Sequence, residues 1–129
     1  MAHNRADTIK GLKLLREQHP ERPLLIQEFL SGREFSIGMV GNPQCGDFEV
    51  FPPVEVDYSG LSPQFARVQL EEFKRDGNSQ FWQETKEVRA QLTPEQHAQL
   101  REYARRMFVR CGVADFARMD FRMDRHGHI

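Results

Sequence analysis

Residues 113–124 decide the fold and read Val113-Ala114-Asp115-Phe116-Ala117-Arg118-Met119-Asp120-Phe121-Arg122-Met123-Asp124. Apolar and polar side chains alternate in this stretch, which predicts a strand that hides Ala, Met and Phe on one face. Arg118 and Asp120 fall on the other face, two residues apart, so a cation and an anion would lie about 7 Å from each other. That arrangement suits a phosphate and a metal ion, and it is also common on an ordinary solvated surface.

The composition is typical of a globular domain. The chain has 129 residues, of which 39% are hydrophobic and 29% charged, with a net charge of -1. This balance argues against a polyanionic partner, so we expect no nucleic acid and no membrane surface among its partners. No apolar run approaches the roughly 20 residues that span a bilayer, and the start of the chain lacks a signal pattern. We therefore expect a cytoplasmic protein.

The remaining periodicities predict an α+β fold, an antiparallel sheet with helices packed on one face. The predicted strands lie near residues 24–30, 34–41, 47–56 and 115–124, and the predicted helices near 7–17 and 94–111. Asp7 is a candidate cap for the first helix, and Thr93-Pro94-Glu95-Gln96 is a capping box that begins the second. Residues 57–92 lack a sustained period and indicate a long loop with short helices.

A second candidate functional segment reads Ile26-Gln27-Glu28-Phe29-Leu30-Ser31-Gly32-Arg33-Glu34-Phe35. A strand that leads into a glycine turn exposes backbone N–H and C=O groups at the bend. Those groups match the Watson–Crick edge of adenine without a special side chain. A solvent-facing hairpin is the alternative interpretation.

Three blocks together resemble the C-terminal part of an ATP-grasp enzyme of the D-alanine–D-alanine ligase group. They are residues 26–35, then Glu71-Glu72-Phe73-Lys74-Arg75-Asp76, then Ala117-Arg118-Met119-Asp120. The resemblance implies that residues 1–129 form the second half of an ATP-grasp domain. We expect a single partial domain that lacks the family's upstream lysine-bearing loop and its downstream Glu-x-Asn strand.

The resemblance also implies which residues bind ATP. Adenine would contact Gln27 and the backbone of Glu28 and Leu30, and Phe29 would line the pocket. Glu34 would accept hydrogen bonds from the ribose hydroxyls. Nucleotide binding is therefore the expected property of this segment.

Three further residues would act at the phosphates. By the same resemblance, Asp120 would ligate Mg²⁺ and Arg118 would be catalytic, stabilising the negative charge that builds on the transferred phosphoryl group. Lys74 would reach the terminal phosphate, although Lys-Arg-Asp-Gly is also a generic solvated turn. Arg122 and Asp124 continue the alternation, and we interpret them as surface charges.

The implied reaction is the ATP-dependent joining of a carboxylate to an amine through an acyl phosphate, with small amino acids or peptides as substrates. The chain by itself is expected to be inactive. The alternative is a non-catalytic nucleotide-binding or interaction module with the same fold. We also expect a homodimer through the exposed edge of the strand at 115–124.

Overall fold

The computed structural model describes residues 2–69 and 77–129. Within these residues the chain forms five strands and three α-helices. They are α1 (Arg5–Gln18), β1 (Glu34–Asn42), β2 (Asp47–Val50), β3 (Val54–Asp57), α2 (Gln80–Glu84), β4 (Lys86–Arg89), α3 (Pro94–Arg110) and β5 (Asp115–Arg122). None of these three helices has both the length and the apolar character that crossing a bilayer requires.

Strand β1 lies at the centre of one antiparallel sheet. Strand β5 pairs with it along nearly its whole length, from Glu34 opposite Arg122 to Gly41 opposite Asp115. On its other side, β1 pairs with β2 through residues 39–42 and with β3 through residues 35–36. Strand β4 then pairs with β3. The predicted α+β class with an antiparallel sheet is confirmed.

Helix α3 covers one face of the sheet and forms the main core with it. Its capping box is present, since Thr93 and Gln96 exchange side-chain and backbone hydrogen bonds. Every second residue of β1 points toward the helix, as the alternation of strand side chains requires. The fully or nearly buried residues of this core are Phe35, Ile37, Met39, Leu100, Ala104, Phe108, Met119 and Met123.

A second, smaller core lies on the opposite face of the sheet. Val56 and Tyr58 extend from β3, and Phe81 reaches them from α2. Leu61 completes the buried cluster, and Phe65 packs against it. Part of the segment predicted as a long loop therefore has a core of its own. This core covers the end of the sheet nearest Glu34.

The strand predicted at residues 24–30 does not form. Both edges of β1 are already occupied, one by β5 and the other by β2 and β3, so no edge of β1 is left for this segment. Leu25 is 80% exposed and Ile26 65% exposed, so the apolar run that suggested a buried strand stays outside both cores. Residues 24–30 instead form part of an irregular linker between α1 and β1.

Other predicted boundaries also shift. Asn4, rather than Asp7, caps α1 by accepting a hydrogen bond from the Asp7 amide. The segment predicted at 47–56 splits into two strands, β2 and β3, on either side of residues 51–53. Strand β4 was not predicted, because all four of its residues are exposed and three are charged. Helix α1 contributes no buried residue.

Candidate functional site

The face of the sheet opposite α3 carries the predicted polar residues. Successive rungs of the β1–β5 ladder on this face pair Glu34 with Arg122, Ser36 with Asp120, and Gly38 with Arg118. Rungs on one face are two residues apart, or about 7 Å. Glu34, Asp120 and Arg118 therefore lie at successive positions along one line, which we call the polar ladder.

Arg118 and Asp120 are in direct contact. Arg118 Nε donates to Asp120 Oδ1 at 2.9 Å, and its Nη2 lies 3.3 Å from Oδ2. Their functional groups therefore do not stand about 7 Å apart as predicted, because the long arginine side chain folds back along its own strand. Both side chains are 54% exposed, so they remain accessible to a ligand.

Asp120 supplies a single carboxylate. Across residues 2–69 and 77–129, no three His, Cys, Asp or Glu side chains gather closely enough to hold a metal ion. Mg²⁺ is usually bound by one or two carboxylates together with substrate phosphates, rather than by a cage made only of protein. An exposed carboxylate beside a cation that can hold phosphate fits that type of site.

Glu34 is held in place by two donors on the same oxygen. Tyr58 donates its hydroxyl to Oε2 at 2.7 Å, and Arg122 Nη1 donates to it at 2.6 Å. Burial, followed by the bond to Glu34, raises the pKa of Tyr58, so its hydroxyl stays a neutral donor. Among the described residues nothing donates to Oε1, which leaves this oxygen as a free acceptor.

Arg122 is not a surface charge, and that prediction is wrong. Its side chain is only 14% exposed. Besides Glu34 it contacts the backbone carbonyls of Leu30 and Arg67, and its guanidinium lies 4.8 Å from the centre of the Phe29 ring. The alternating pattern places Arg122 on the polar face but carries no information about these distant partners.

The predicted adenine contacts are divided between two surfaces. Glu28, Phe29 and Leu30 line a cleft of about 350 Å³. Its other lining residues are Ser31, Asp124, Arg125 and His126. Gln27 lies apart from this cleft, in a groove between the linker and α1. Lys74 and the block from Glu71 to Asp76 lie outside the described residues.

Asp124 orders the turn beside the cleft, so it too is more than a free surface charge. Its carboxylate accepts hydrogen bonds from the backbone amides of His126 and His128 and contacts the His128 ring. The bonds from His128, followed by that from His126, lower the pKa of Asp124 to about 2. The two histidine side chains stay exposed.

Comparison with known families agrees with this architecture. The model of a family described as the D-ala D-ala ligase C-terminus matches residues 5–129. The chain belongs to this family. The match covers β1, β5 and the linker before β1, so the whole polar ladder lies inside the family's domain.

A solved structure shares the fold. The crystal structure of D-alanyl-alanine synthetase A from Vibrio cholerae O1 biovar eltor superposes with a TM-score of 0.57 at 22% sequence identity. The aligned region covers 79% of this chain and 28% of that protein, so the chain spans less than a third of the length of this relative. No curated protein matches the sequence.

Proposed function

We propose that this chain is the nucleotide- and magnesium-binding part of an ATP-dependent ligase that joins a carboxylate to an amine. The observation that carries the proposal is the polar ladder, in which Glu34, Asp120 and Arg118 follow one another on one face of the sheet, with Asp120 and Arg118 exposed. Membership of the D-ala D-ala ligase C-terminus family supports the same reaction class. Small amino acids or peptides are the proposed substrates.

The order along the ladder matches the order of groups in ATP. In this proposal, adenine lies against the backbone of Glu28 and Leu30, and the ribose hydroxyls donate to the free Oε1 of Glu34. Positions 34 and 38 of β1 are four residues, or about 14 Å, apart. An extended nucleotide can therefore reach from Glu34 to Arg118, with its phosphates passing Asp120.

Arg118 and Asp120 divide the chemistry at the phosphates. Mg²⁺, when bound, would supply positive charge that offsets part of the negative charge of the phosphates. Asp120 is the proposed ligand, and it gives up its bond to Arg118 when it takes this role. The guanidinium of Arg118 then faces the phosphoryl group that passes from ATP to the carboxylate, where negative charge develops.

The proposed reaction has two steps. A carboxylate oxygen attacks the γ-phosphorus and ADP leaves, which gives an acyl phosphate. The amine then attacks the acyl carbon, a proton is lost from its nitrogen, and inorganic phosphate leaves. The protein contributes position and charge rather than a covalent group.

The test measures ADP release from ATP by the full-length protein. Small amino acids are added in pairs, one as the carboxylate and one as the amine. ADP release that requires both a carboxylate and an amine supports the proposal. Glu34→Gln should raise the Kd for ATP but leave kcat nearly unchanged, because ribose contacts are the same in the ground and transition states. Glu87→Gln on the exposed strand β4 is the matched control. ATP binding without ADP release for any pair would favour a non-catalytic nucleotide-binding module.

A further inference from the structure

Arg122 contacts three parts of the chain that are far from it in sequence. Its guanidinium donates to the carbonyl of Leu30 in the linker, to Glu34 at the start of β1, and to the carbonyl of Arg67. The same group stacks on Phe29, 4.8 Å from the ring centre. Arginine can satisfy several acceptors in different directions because its donors form a rigid planar fork.

The linker at residues 24–30 has few other attachments. Within the described residues none of its backbone groups belongs to the ladders that pair the strands of the sheet. The nearest backbone anchor is the bond from Gly32 N to Met123 O, at 3.0 Å. The bond to Leu30 and the stack on Phe29 therefore hold the linker against the polar face.

Arg122 also determines how Glu34 is presented. The Glu34 side chain is only 17% exposed, and a carboxylate withdrawn from water to that extent is costly to bury without hydrogen-bond donors. Arg122 and Tyr58 both donate to Oε2, and in the described part of the chain nothing donates to Oε1. Of these two donors, Arg122 is the one that also bonds to the linker, so it ties the carboxylate to the linker.

We infer that Arg122 is a positioning residue that holds the base-contacting linker and the ribose-contacting carboxylate at a fixed separation. The inference rests on the proposed function, since it assigns adenine to the linker and ribose to Glu34. Arg122 itself touches neither the phosphates nor the reacting atoms in this assignment. Its loss should weaken nucleotide binding and relax selection for the ribose, while the chemical step is retained.

The experiment compares wild type with Arg122→Met and Arg122→Lys in the full-length protein. Arg33→Lys is the control, because Arg33 likewise pairs with a glutamate and donates to a backbone carbonyl. Arg33 donates to both oxygens of Glu55 at 2.6 Å and to the carbonyl of Gln91, whereas Arg122 makes one bond to Glu34. Within the described part of the chain, the hydrogen bonds of the Arg33 side chain go to Glu55 and Gln91 rather than to Leu30 or Glu34. Lysine at position 122 keeps the charge for Glu34 but is a point donor, so it cannot hold the linker as well.

Two readouts are taken. Hydrogen exchange of the segment 26–32, in which the Gly32 amide donates to Met123 O at 3.0 Å, should be faster by about tenfold at that amide in Arg122→Met and intermediate in Arg122→Lys. The measurement is made without nucleotide, and the effect is on the scale of one lost hydrogen bond to a charged group. Calorimetry should show the Kd for ATP raised by about tenfold and the preference for ATP over 2′-deoxy-ATP reduced, with kcat within about threefold of wild type. Arg33→Lys should change neither readout.

Three results would overturn the inference. They are unchanged exchange at residues 26–32 in Arg122→Met, an equal effect of Arg33→Lys, and tighter ATP binding, which would mean that Arg122 withholds Glu34 from the ribose. If Arg122→Met fails to fold, as judged by circular dichroism, Arg122→Lys carries the test. Failure of wild type to bind ATP would overturn the proposed function and the nucleotide part of this inference. Unchanged exchange with intact ATP binding would overturn the inference alone.

Discussion

Arg118 and Asp120 form an ion pair along one strand, with Arg118 Nε 2.9 Å from Asp120 Oδ1 and both side chains 54% exposed. An exposed pair of this kind contributes only about 0–1 kcal/mol to stability. The pair is therefore poorly explained by a structural role. Arg118 and Asp120 can therefore separate at a small cost in free energy when a phosphate and a metal ion compete for them. Substitutions of these two residues should change activity much more than stability.

Arg118→Ala should reduce turnover by about 100-fold or more, because one preorganised donor for the developing charge is lost. The free energy of unfolding should change by less than about 1 kcal/mol, because the ion pair is exposed. Steady-state ADP release and urea unfolding of the full-length protein measure the two effects. Arg106→Ala is the control, since it removes another exposed arginine that pairs with a carboxylate, Glu102 at 2.8 Å, on α3. Equal activity in both variants would contradict the catalytic role.

Asp120→Asn should raise the Mg²⁺ concentration needed for half-maximal activity. Loss of even an outer-shell partner of a metal ligand costs roughly 10–100-fold in affinity, so loss of a ligating carboxylate should cost at least about tenfold. A titration of ADP release against Mg²⁺ at saturating ATP measures the shift. Asp47→Asn, at an exposed position of β2, should leave the titration unchanged. An unshifted curve for Asp120→Asn would remove this residue from the metal site.

Gly32→Ala should destabilise the junction between the linker and β1. A Cβ at this position would overlap the carbonyl oxygen of Asp124 and lie 2.7 Å from that of Met123, so the two backbones would have to separate. We expect a loss of about 1–3 kcal/mol in the free energy of unfolding, the usual cost of overpacking.

Gly11→Ala is a control that should raise the free energy of unfolding, whereas Gly32→Ala should lower it. Nothing lies within 4 Å of a Cβ at Gly11 in helix α1, so alanine should stabilise the chain by about 0.5–1 kcal/mol. Urea unfolding measures both variants. Equal stability of Gly32→Ala and wild type would show that the two backbones separate freely.

Local signals in the sequence were sufficient to predict some elements. The alternation in residues 115–122 predicts β5, and the capping box at Thr93 predicts the start of α3, because each depends on neighbours a few residues away. The strand predicted at 24–30 is wrong for the opposite reason. Whether an apolar run pairs with the strand next to it in sequence depends on a free edge of that strand, and both edges of β1 are occupied by segments that lie later in the chain.

At the candidate site, too, local patterns predict the strands but not the contacts between distant parts of the chain. Alternation places Glu34, Arg118, Asp120 and Arg122 on their strands, and the register then puts them on one face. The surroundings of Arg122 depend on Leu30 and Arg67, which are 92 and 55 residues away in sequence. No short pattern encodes such contacts, so the burial of Arg122 could not be predicted. The ligand roles of the site residues stay predictions.

The outer edge of β5 should recruit a second copy of this chain. Among the described residues β5 pairs only with β1, and it carries Phe116, which is 69% exposed. Another outer strand, β4, has charged residues at three of its four positions, and such charges protect an edge.

Phe116→Lys should therefore reduce self-association in light scattering at high concentration. Val88→Lys on β4 should leave it unchanged. A wild-type chain that stays monomeric at high concentration would argue against an open edge on β5.

Asp124 should make stability depend on pH under acidic conditions. An aspartate in the unfolded chain has a pKa near 3.9, and the bonds from His128 and His126 lower the folded value to about 2. The folded chain therefore binds this proton less tightly than the unfolded chain. The stabilisation that Asp124 provides is present above about pH 4 and is lost as the pH falls toward 2.

Asp124→Asn should flatten the pH dependence of the unfolding free energy in this range, measured by urea unfolding at several pH values. Asp47→Asn, at an exposed position outside the turn, should keep the wild-type slope, and an unchanged slope in Asp124→Asn would show that the turn does not depend on the charge of Asp124.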